Sequence, residues 1–283
     1  MKRVLDQPEK VLDIMRGVAD AEIMPRFKTL EAHEISEKKP GDLVTIADKE
    51  SEAALTRYLQ SLLPGSIVIG EEGHHADPAT LDALGKAGPV WIVDPVDGTY
   101  NFAHGKSPFT VIVALAENGE TKAGWIIDPV RGDAVWAIPG SGAMQQDTAG
   151  KSSEIHRPER TYETSTMTSG PKLRSRIARA AAELRTPLPN LIDRYRCAGR
   201  EYMDIVTGKI DLARYGGILK PWDHAAGTMI VGEAGGQARG ILTNEPYRLT
   251  ASLGTQSIGV VGDARNWETF RDLVKHADEL ANL

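Results

Sequence analysis

The 283-residue sequence predicts an α/β (α+β) fold from three kinds of segment. Apolar residues recur at helical spacing in several stretches, two short apolar runs each end in acidic residues, and alternating apolar residues follow Phe109. Hydrophobic residues make up 41% of the chain, which is enough for one large core or two closely packed ones.

The first predicted elements are two helices. Apolar spacing indicates a long amphipathic helix over about residues 8–32, with a break near Pro25, and a second helix from Asp48 to Leu63. Thr45 is placed three residues before Asp48, where it could cap the second helix. The intervening segment SEKKPGDLVT is predicted to be polar and rich in turns.

Two buried strands come next, in SIVIGEEG and PVWIVDP. Glu71 and Glu72 follow the first run, and Asp94 and Asp97 follow the second, so that all four stand at the C-terminal ends of strands. This is where α/β proteins commonly build their sites. Glu72 is the weakest candidate, because adjacent residues of an extended chain point to opposite faces.

An antiparallel meander is predicted after Phe109, and an exposed connection near residue 150 divides the chain into segments 1–150 and 151–283. The second segment is predicted to contain helices over Leu173–Leu184 and Glu201–Thr207. A further helix should begin at Asp223 and stop at Gly235 and Gly236.

Composition excludes several classes of protein. A formal charge of −6, from 39 acidic and 33 basic side chains, argues against a nucleic-acid groove. No stretch approaches the roughly 18 apolar residues of a membrane span, and the basic start lacks an apolar signal region. The single cysteine, Cys197, excludes an intrachain disulfide and is predicted to be a buried apolar side chain. We therefore expect a cytoplasmic protein without a nucleic-acid or membrane partner.

The acidic residues indicate a site for a hard cation. Glu71, Asp94 and Asp97, with Asp223 as a further member, could gather only if cations neutralised them. Oxygen ligands without Cys or His favour magnesium, manganese or calcium over zinc, and the Val96 carbonyl could add another oxygen. Two other interpretations stay open: Asp-Pro-Val-Asp-Gly is also good turn chemistry, and Asp223 also suits a helix cap.

The following Gly-Thr suits a phosphate. Gly98 would let a phosphate approach the backbone, Thr99 offers an amide and a hydroxyl, and a helix starting there would add N-terminal amides. Asp94 and Asp97 lie three residues apart, whereas phosphatases of the haloacid dehalogenase class have Asp-x-Asp-Gly-Thr near the chain start. The spacing argues against that class.

Four segments together resemble the inositol monophosphatase family of magnesium-dependent, lithium-sensitive phosphatases. They are GDLVTIADKESE, IGEEG, WIVDPVDGTYNFAHG and LKPWDHAAGTMIVGEAGG, in the order and at about the spacing of that family. The resemblance implies a layered α-β-α-β-α sandwich of the sugar-phosphatase type, usually a homodimer. It implies that residues 1–150 form an α+β half that binds metal and phosphate, and that residues 151–283 form an α/β half that completes the active site.

The resemblance also implies roles for individual residues. Glu71, Asp94 and the Val96 carbonyl would hold one Mg²⁺, and Asp94, Asp97 and Asp223 would hold a second; a third, looser site lies near Glu71, and Mn²⁺ could replace Mg²⁺. The catalytic set would be Glu71, Thr99 and Asp97, with Glu71 and Thr99 positioning and activating the attacking water. The substrate-binding set would be Gly98, Thr99, Asp97 and Asp223, with the Gly98 and Thr99 amides receiving the phosphate.

The implied reaction is in-line hydrolysis of a small polyol or sugar phosphate, similar to inositol 1-phosphate, by metal-activated water without a covalent phosphoenzyme. Histidinol-phosphate or fructose-1,6-bisphosphate hydrolysis by the same site is the alternative within enzymes. The alternative from another class is a non-catalytic regulator that binds metal and phosphate.

The chain departs from inositol-phosphate hydrolases in RCAGREYMD and LARYGGILKPWD, which puts inositol specificity in doubt. Arg200 or Arg214 is the candidate to face the pocket there. Lys38 and Lys39 are either solvated turn residues or a basic loop near the metals. We expect His74 and His75 to be exposed in a polar loop, and His224 to pack at a helix start rather than act as a general acid.

Overall fold

The structure is a computed structural model that describes residues 1–251 and 253–282. The helices are α1 (Lys2–Leu5), α2 (Glu9–Val18), α3 (Ile46–Leu62), α4 (Glu71–Ala76), α5 (Thr99–Ala103), α6 (Pro171–Leu184), α7 (Ala198–Val206), α8 (Pro221–Glu233) and α9 (Trp267–Glu279). The strands are β1 (Ile35–Lys39), β2 (Asp42–Thr45), β3 (Ile67–Gly70), β4 (Pro89–Asp97), β5 (Thr110–Glu117), β6 (Glu120–Ile127), β7 (Ala134–Ala137), β8 (Ala143–Gln146), β9 (Ser152–Glu154), β10 (Thr166–Thr168), β11 (Asn190–Ile192), β12 (Leu212–Ile218), β13 (Gln237–Gly240) and β14 (Thr255–Val261).

Two sheets form the frame of the molecule. The larger has seven strands in the order β3-β4-β5-β6-β7-β8-β9, in which β3 and β4 are parallel and every later neighbour is antiparallel. The smaller has five strands in the order β11-β10-β12-β14-β13, with parallel pairing of β10 to both of its neighbours. β1 and β2 form a separate antiparallel hairpin. The predicted meander after Phe109 is therefore confirmed.

Alternating side chains of the sheets divide the core into layers. On β4, Trp91 and Val93 pack with the apolar faces of α2 and α3, whereas Val90 and Ile92 point to the other face of the sheet. That second face shares a core with α7 and α8, and the same core contains Tyr215 of β12 from the five-stranded sheet. The outer face of the five-stranded sheet packs against α6 and α9. The order helix, sheet, helix, sheet, helix confirms the layered sandwich.

The N-terminal region differs from its prediction in two ways. α2 ends at Val18 and continues only as a π-helical turn over Ala19–Ile23, and Pro25 lies in a 3₁₀ turn, so the helix breaks where predicted but does not reach residue 32. The segment SEKKPGDLVT, predicted to be polar and rich in turns, has its turn at Pro40 and Gly41, but most of it forms the strands of the β1–β2 hairpin, which were not predicted. Four of its nine strand residues are charged, and only Val44 and Thr45 are buried, so the strands lack the apolar alternation that marks a strand.

Helix starts also shift by two or three residues. α3 begins at Ile46, and Thr45 and Asp48 form a reciprocal capping box, as the spacing of these residues indicated. α8 begins at Pro221 with Lys220 as its cap. Asp223 therefore lies in the first turn and not at the cap, since proline favours the first helical position.

The acid-bearing strands are longer or more exposed than predicted. β4 extends through Asp94 to Asp97, with an irregularity in its pairing to β5 between these two residues. β3 is buried only in its second half, and Ile67 is exposed. In the part of the chain that the structure describes, no helix combines the length and the apolar character needed to cross a bilayer.

Candidate active site

The parallel pairing of β3 and β4 brings the first acids together. Glu71 is the first residue of α4, directly after β3, and Asp94 lies near the end of β4. The first turn of α8 adds Asp223 from far along the chain. One carboxylate oxygen from each of Glu71, Asp94 and Asp223 lies within 4.8 Å of the others. We call these three residues the acid cluster.

Burial makes the acid cluster costly in its charged form. Asp94 is only 3% exposed, and burial, with Glu71, Asp97 and Asp223 nearby, raises the pKa of Asp94 well above its usual range. Burial likewise raises the pKa of Asp223 to about 8, against the opposing effect of Lys220. Two carboxylates of the cluster thus lack sufficient positive charge from the protein.

Glu71 differs because two lysines contact it. The ammonium groups of Lys220 and Lys38 lie 2.8 Å and 3.0 Å from its Oε1. Burial alone would raise the pKa of Glu71, but these two cations outweigh it and lower the pKa. Lys38 also lies 2.6 Å from Glu72 Oε1 and is largely buried, whereas Lys39 is exposed and pairs with Asp42. Of Lys38 and Lys39, which the sequence did not distinguish, Lys38 belongs to the environment of the acid cluster and Lys39 does not.

Asp97 receives hydrogen bonds from four protein donors. The backbone amides of Ala198 and Gly199 donate to Asp97 Oδ1 and Oδ2 at 3.1 Å and 2.6 Å. The Thr110 hydroxyl donates to Oδ2 at 3.0 Å, and the Cys197 thiol donates to Oδ2 at 3.1 Å. Burial still raises the pKa of Asp97. This carboxylate connects the end of β4 to the start of α7, and the predicted burial of Cys197 is confirmed.

Thr99 has a partner that the sequence did not indicate. Its hydroxyl lies 3.0 Å from both Asp48 Oδ1 and the Val96 carbonyl oxygen, so it can donate to one of them at a time. Asp48 is buried, and burial raises its pKa to about 7. The capping box that contains Asp48 was visible in the sequence, but its second contact depends on tertiary packing.

Gly98 is required by the protein itself. Its φ of 96° is in the left-handed region, and an added Cβ would lie 3.1 Å from the Pro108 carbonyl oxygen and 3.3 Å from both Cys197 Cβ and Phe109 Cα. The sequence prediction gave a different reason, close approach of a phosphate. The helix predicted to begin at Thr99 is present as α5.

A cavity of about 170 Å³ joins the residues predicted to form the site. It is lined by Glu71, Asp94, Val96, Asp97, Gly98, Thr99 and Asp223, together with Gly41, Asp42, Leu43, Tyr100, Arg196 and Lys220. A larger cavity of about 400 Å³ lies beside α8 and β13, and none of the predicted site residues lines it. Chemistry rather than size therefore identifies the candidate site.

The two arginines predicted to face the pocket do not line this cavity. Arg200 is buried against Asp133 and Asp204, and Arg214 pairs with Asp278. Arg196 lines the cavity instead. Arg196 and Arg200 lie four residues apart around the start of α7, and the sequence gives no signal that tells which of them faces the cavity.

The histidines follow their predictions only in part. His224 is buried, as predicted, its Nδ1 lies 3.0 Å from the Tyr202 hydroxyl oxygen, and burial lowers the pKa of His224 to about 3. His75 is exposed, as predicted, but both His74 and His75 lie in α4 and not in a loop. His74 is half-buried, with its ring centroid 5.2 Å from that of Trp222.

The layered sandwich has counterparts among known proteins. The chain matches the model of the inositol monophosphatase family over residues 8–281. It is 33% identical to an inositol-1-monophosphatase of Bacillus subtilis over 204 residues, which cover 71% of this chain and 73% of that protein. It is 28% identical over 234 residues to the Nus factor SuhB of Escherichia coli K12, covering 82% and 84% of the two chains.

A solved structure of an IMPase from Thermotoga maritima shows the same fold, with a TM-score of 0.76, 23% identity and 98% coverage of both chains. The chain belongs to the inositol monophosphatase family. Membership of this family supports a phosphatase, a hydrolase of phosphate esters.

Proposed function

We propose that this protein is a Mg²⁺-dependent phosphomonoesterase that hydrolyses a small polyol or sugar phosphate. The observation that carries the proposal is the acid cluster, with three carboxylate oxygens within 4.8 Å of one another in one cavity. Family membership and the name of the Bacillus subtilis relative support a substrate similar to inositol 1-phosphate.

The residues present suit magnesium or manganese. All members of the acid cluster offer carboxylate oxygens, which hard divalent cations prefer. The raised pKa values of Asp94 and Asp223 indicate that positive charge is missing at the buried end of the cluster. Glu71, Asp94 and the Val96 carbonyl would hold one ion, and Asp94, Asp97 and Asp223 a second. Bound ions would lower the pKa of a water and offset the charge of the phosphate.

The chain's own groups would then position the reactants. Glu71, whose pKa is lowered by Lys220 and Lys38, is ionised and can accept a hydrogen bond from the attacking water. The Thr99 hydroxyl donates within the protein and so retains lone pairs that can accept a second hydrogen bond from the same water. The amides of Gly98 and Thr99 would receive the phosphate, while Asp97 and Asp223 complete the predicted contacts to substrate.

The remaining expectations stay predictions: a third metal near Glu71, inhibition by lithium, a homodimer and a cytoplasmic location. Histidinol phosphate and fructose 1,6-bisphosphate are the alternative substrates for the same site. A non-catalytic role is the second candidate function, because one relative is named a Nus factor. A binding protein would need the acid cluster but would not need Glu71 and Thr99 to orient a water.

Phosphate release from a panel of phosphomonoesters, with magnesium and with or without lithium, tests the proposal. We expect magnesium-dependent release that Glu71→Gln abolishes while phosphate binding persists. Glu72→Gln is the matched control, because Glu72 also contacts Lys38 but is not a member of the acid cluster. Failure on every substrate would contradict the enzyme, and unchanged release by Glu71→Gln would contradict the role of Glu71.

A further inference from the structure

Arg196 lies at the mouth of the candidate active site. It is exposed and lines the same cavity as the acid cluster, as does Tyr100, which is 41% exposed. Asp94 and Asp97, at 3% and 8% exposure, form the buried end of that cavity. A substrate whose phosphate reached the acids would therefore extend its remaining atoms toward Arg196 and Tyr100.

The backbone at Arg196 is held in an uncommon conformation. Its φ is 56°, in the left-handed region that side chains other than glycine seldom adopt. Both neighbours are tied to the turn that carries Asp97: Asn101 Nδ2 donates to the Tyr195 carbonyl oxygen at 2.9 Å, and the Cys197 thiol donates to Asp97. Conformations of this kind persist when their surroundings impose them, and they cluster at ligand sites.

The guanidinium of Arg196 is positioned but not neutralised. Its Cζ lies 4.5 Å from the centroid of the Tyr100 ring, which restricts the side chain to the cavity mouth. Within residues 1–251 and 253–282, its side chain has no hydrogen bond and no ion pair with protein groups. Arg200 and Arg214, in contrast, are paired with carboxylates. Arg196 thus keeps its donors for a group from outside the chain.

We propose that Arg196 determines substrate specificity by binding a second anionic group, a carboxylate or a phosphate, on the phosphomonoester. This inference rests on the proposed function and, among small polyol and sugar phosphates, favours esters with a second anionic group over inositol 1-phosphate, which has only one. Near the acid cluster a second anion would be repelled, so the cavity mouth is where it can be accommodated. A guanidinium matches both carboxylate and phosphate with two parallel hydrogen bonds, and stacking on Tyr100 fixes its plane.

Two matched pairs of substrates test the proposal. Glycerol 3-phosphate and 3-phosphoglycerate differ by a carboxylate, and fructose 1-phosphate and fructose 1,6-bisphosphate differ by a phosphate. We expect kcat/KM with magnesium to be about 10-fold or more higher for the doubly anionic member of at least one pair. Arg196→Gln should lower kcat/KM for the doubly anionic substrate by about 10- to 100-fold. It should leave kcat/KM for the singly anionic substrate within about twofold of the wild-type value.

Two further variants separate specificity from structure. Arg196→Lys, which keeps the charge but loses the paired donors, should fall between the wild type and Arg196→Gln. Arg185→Gln is the matched control, because Arg185 is also an exposed arginine with a left-handed φ, 53°, and does not line the cavity. It should match the wild type on all four substrates.

If Arg196→Gln lowers kcat/KM selectively for 3-phosphoglycerate alone, Arg196 binds a carboxylate. If it does so for fructose 1,6-bisphosphate alone, Arg196 binds a phosphate. The proposal is wrong if Arg196→Gln lowers kcat/KM equally for both members of each pair or for neither. If no phosphomonoester is hydrolysed, the proposed function fails, and calorimetry then tests Arg196 by itself. Magnesium-loaded wild type should bind 3-phosphoglycerate about 10-fold more tightly than Arg196→Gln does. Equal binding, or none, would overturn the inference.

Discussion

Two carboxylates at the buried end of the acidic cavity have different surroundings. Asp97 accepts hydrogen bonds from two backbone amides, a hydroxyl and a thiol, and these bonds oppose the increase in its pKa that burial causes. Asp94 accepts a backbone hydrogen bond from Val96 and lies near the other acids, which raise its pKa further. Burial of a carboxylate is therefore insufficient to indicate a metal ligand. The informative feature is a buried carboxylate that the protein leaves without enough donors.

The largest loss of activity is expected for substitution of Asp94, which has fewer hydrogen-bond donors than Asp97. Asp94→Asn removes a charge that the bound cation would require, so we expect phosphate release to fall by about 10²- to 10³-fold. Steady-state kinetics with saturating magnesium would measure it. Asp42→Asn is the control, since Asp42 lines the cavity without belonging to the acid cluster. Equal losses of phosphate release in Asp94→Asn and Asp42→Asn would show that Asp94 has no special role among the acids that line the cavity.

Asp97, which has more hydrogen-bond donors, should contribute to folding in addition to its proposed metal contact. Asp97→Asn replaces a four-fold acceptor with a side chain whose amide cannot accept all four bonds, so unfolding free energy should fall by about 2–4 kcal/mol. Urea denaturation of metal-free protein would show the change as a lower midpoint. An unchanged midpoint would mean that Asp97 gains little from its donors.

Asp223→Asn, unlike Asp97→Asn, should increase the unfolding free energy of the metal-free protein. Burial raises the pKa of Asp223 to about 8, so the folded state is favoured while the group is protonated, and that advantage is lost as the pH rises through 8. At pH 9 the neutral asparagine should raise the unfolding free energy by about 1–2 kcal/mol. Destabilisation by the same urea assay would contradict the electrostatic account of the acid cluster.

The smallest effect concerns the lysines beside Glu71. Lys220→Met removes a cation that competes with metal for Glu71, so magnesium should bind about three- to tenfold more tightly. Calorimetric titration with magnesium would measure the affinity. Lys39→Met is the control, because Lys39 is exposed and pairs with Asp42 rather than with Glu71. Weaker binding by Lys220→Met would show that the lysine supports the metal site.

The acid cluster could be predicted from the sequence because its members lie at the ends of predicted strands or at the start of a predicted helix. Two apolar strands each stop at acids, and the Trp-Asp pair stands at a helix start, so the type and position of each element could be predicted. The layered order came from resemblance to a family, since apolar spacing alone does not say which sheet face each helix covers.

The missed features depend on contacts between distant segments. The hairpin of β1 and β2 is charged and half-exposed, so it has no apolar alternation. Arg200 was predicted to face the pocket, but Asp133 and Asp204 bind it in the interior, and only the folded chain shows those partners. The contact of Asp48 with Thr99 spans 51 residues and has no local signature.

The bonds of Asp97 also make two distant segments dependent on each other in evolution. Its donors include the amides of Ala198 and Gly199, and a Cβ added at Gly98 would lie 3.3 Å from Cys197 Cβ, closer than most such contacts. A larger residue at 97 or 98 would need a compensating change at 197–199, about 100 positions away. The two segments should therefore accept substitutions jointly, and the turn that carries Asp97 can diversify only together with the start of α7.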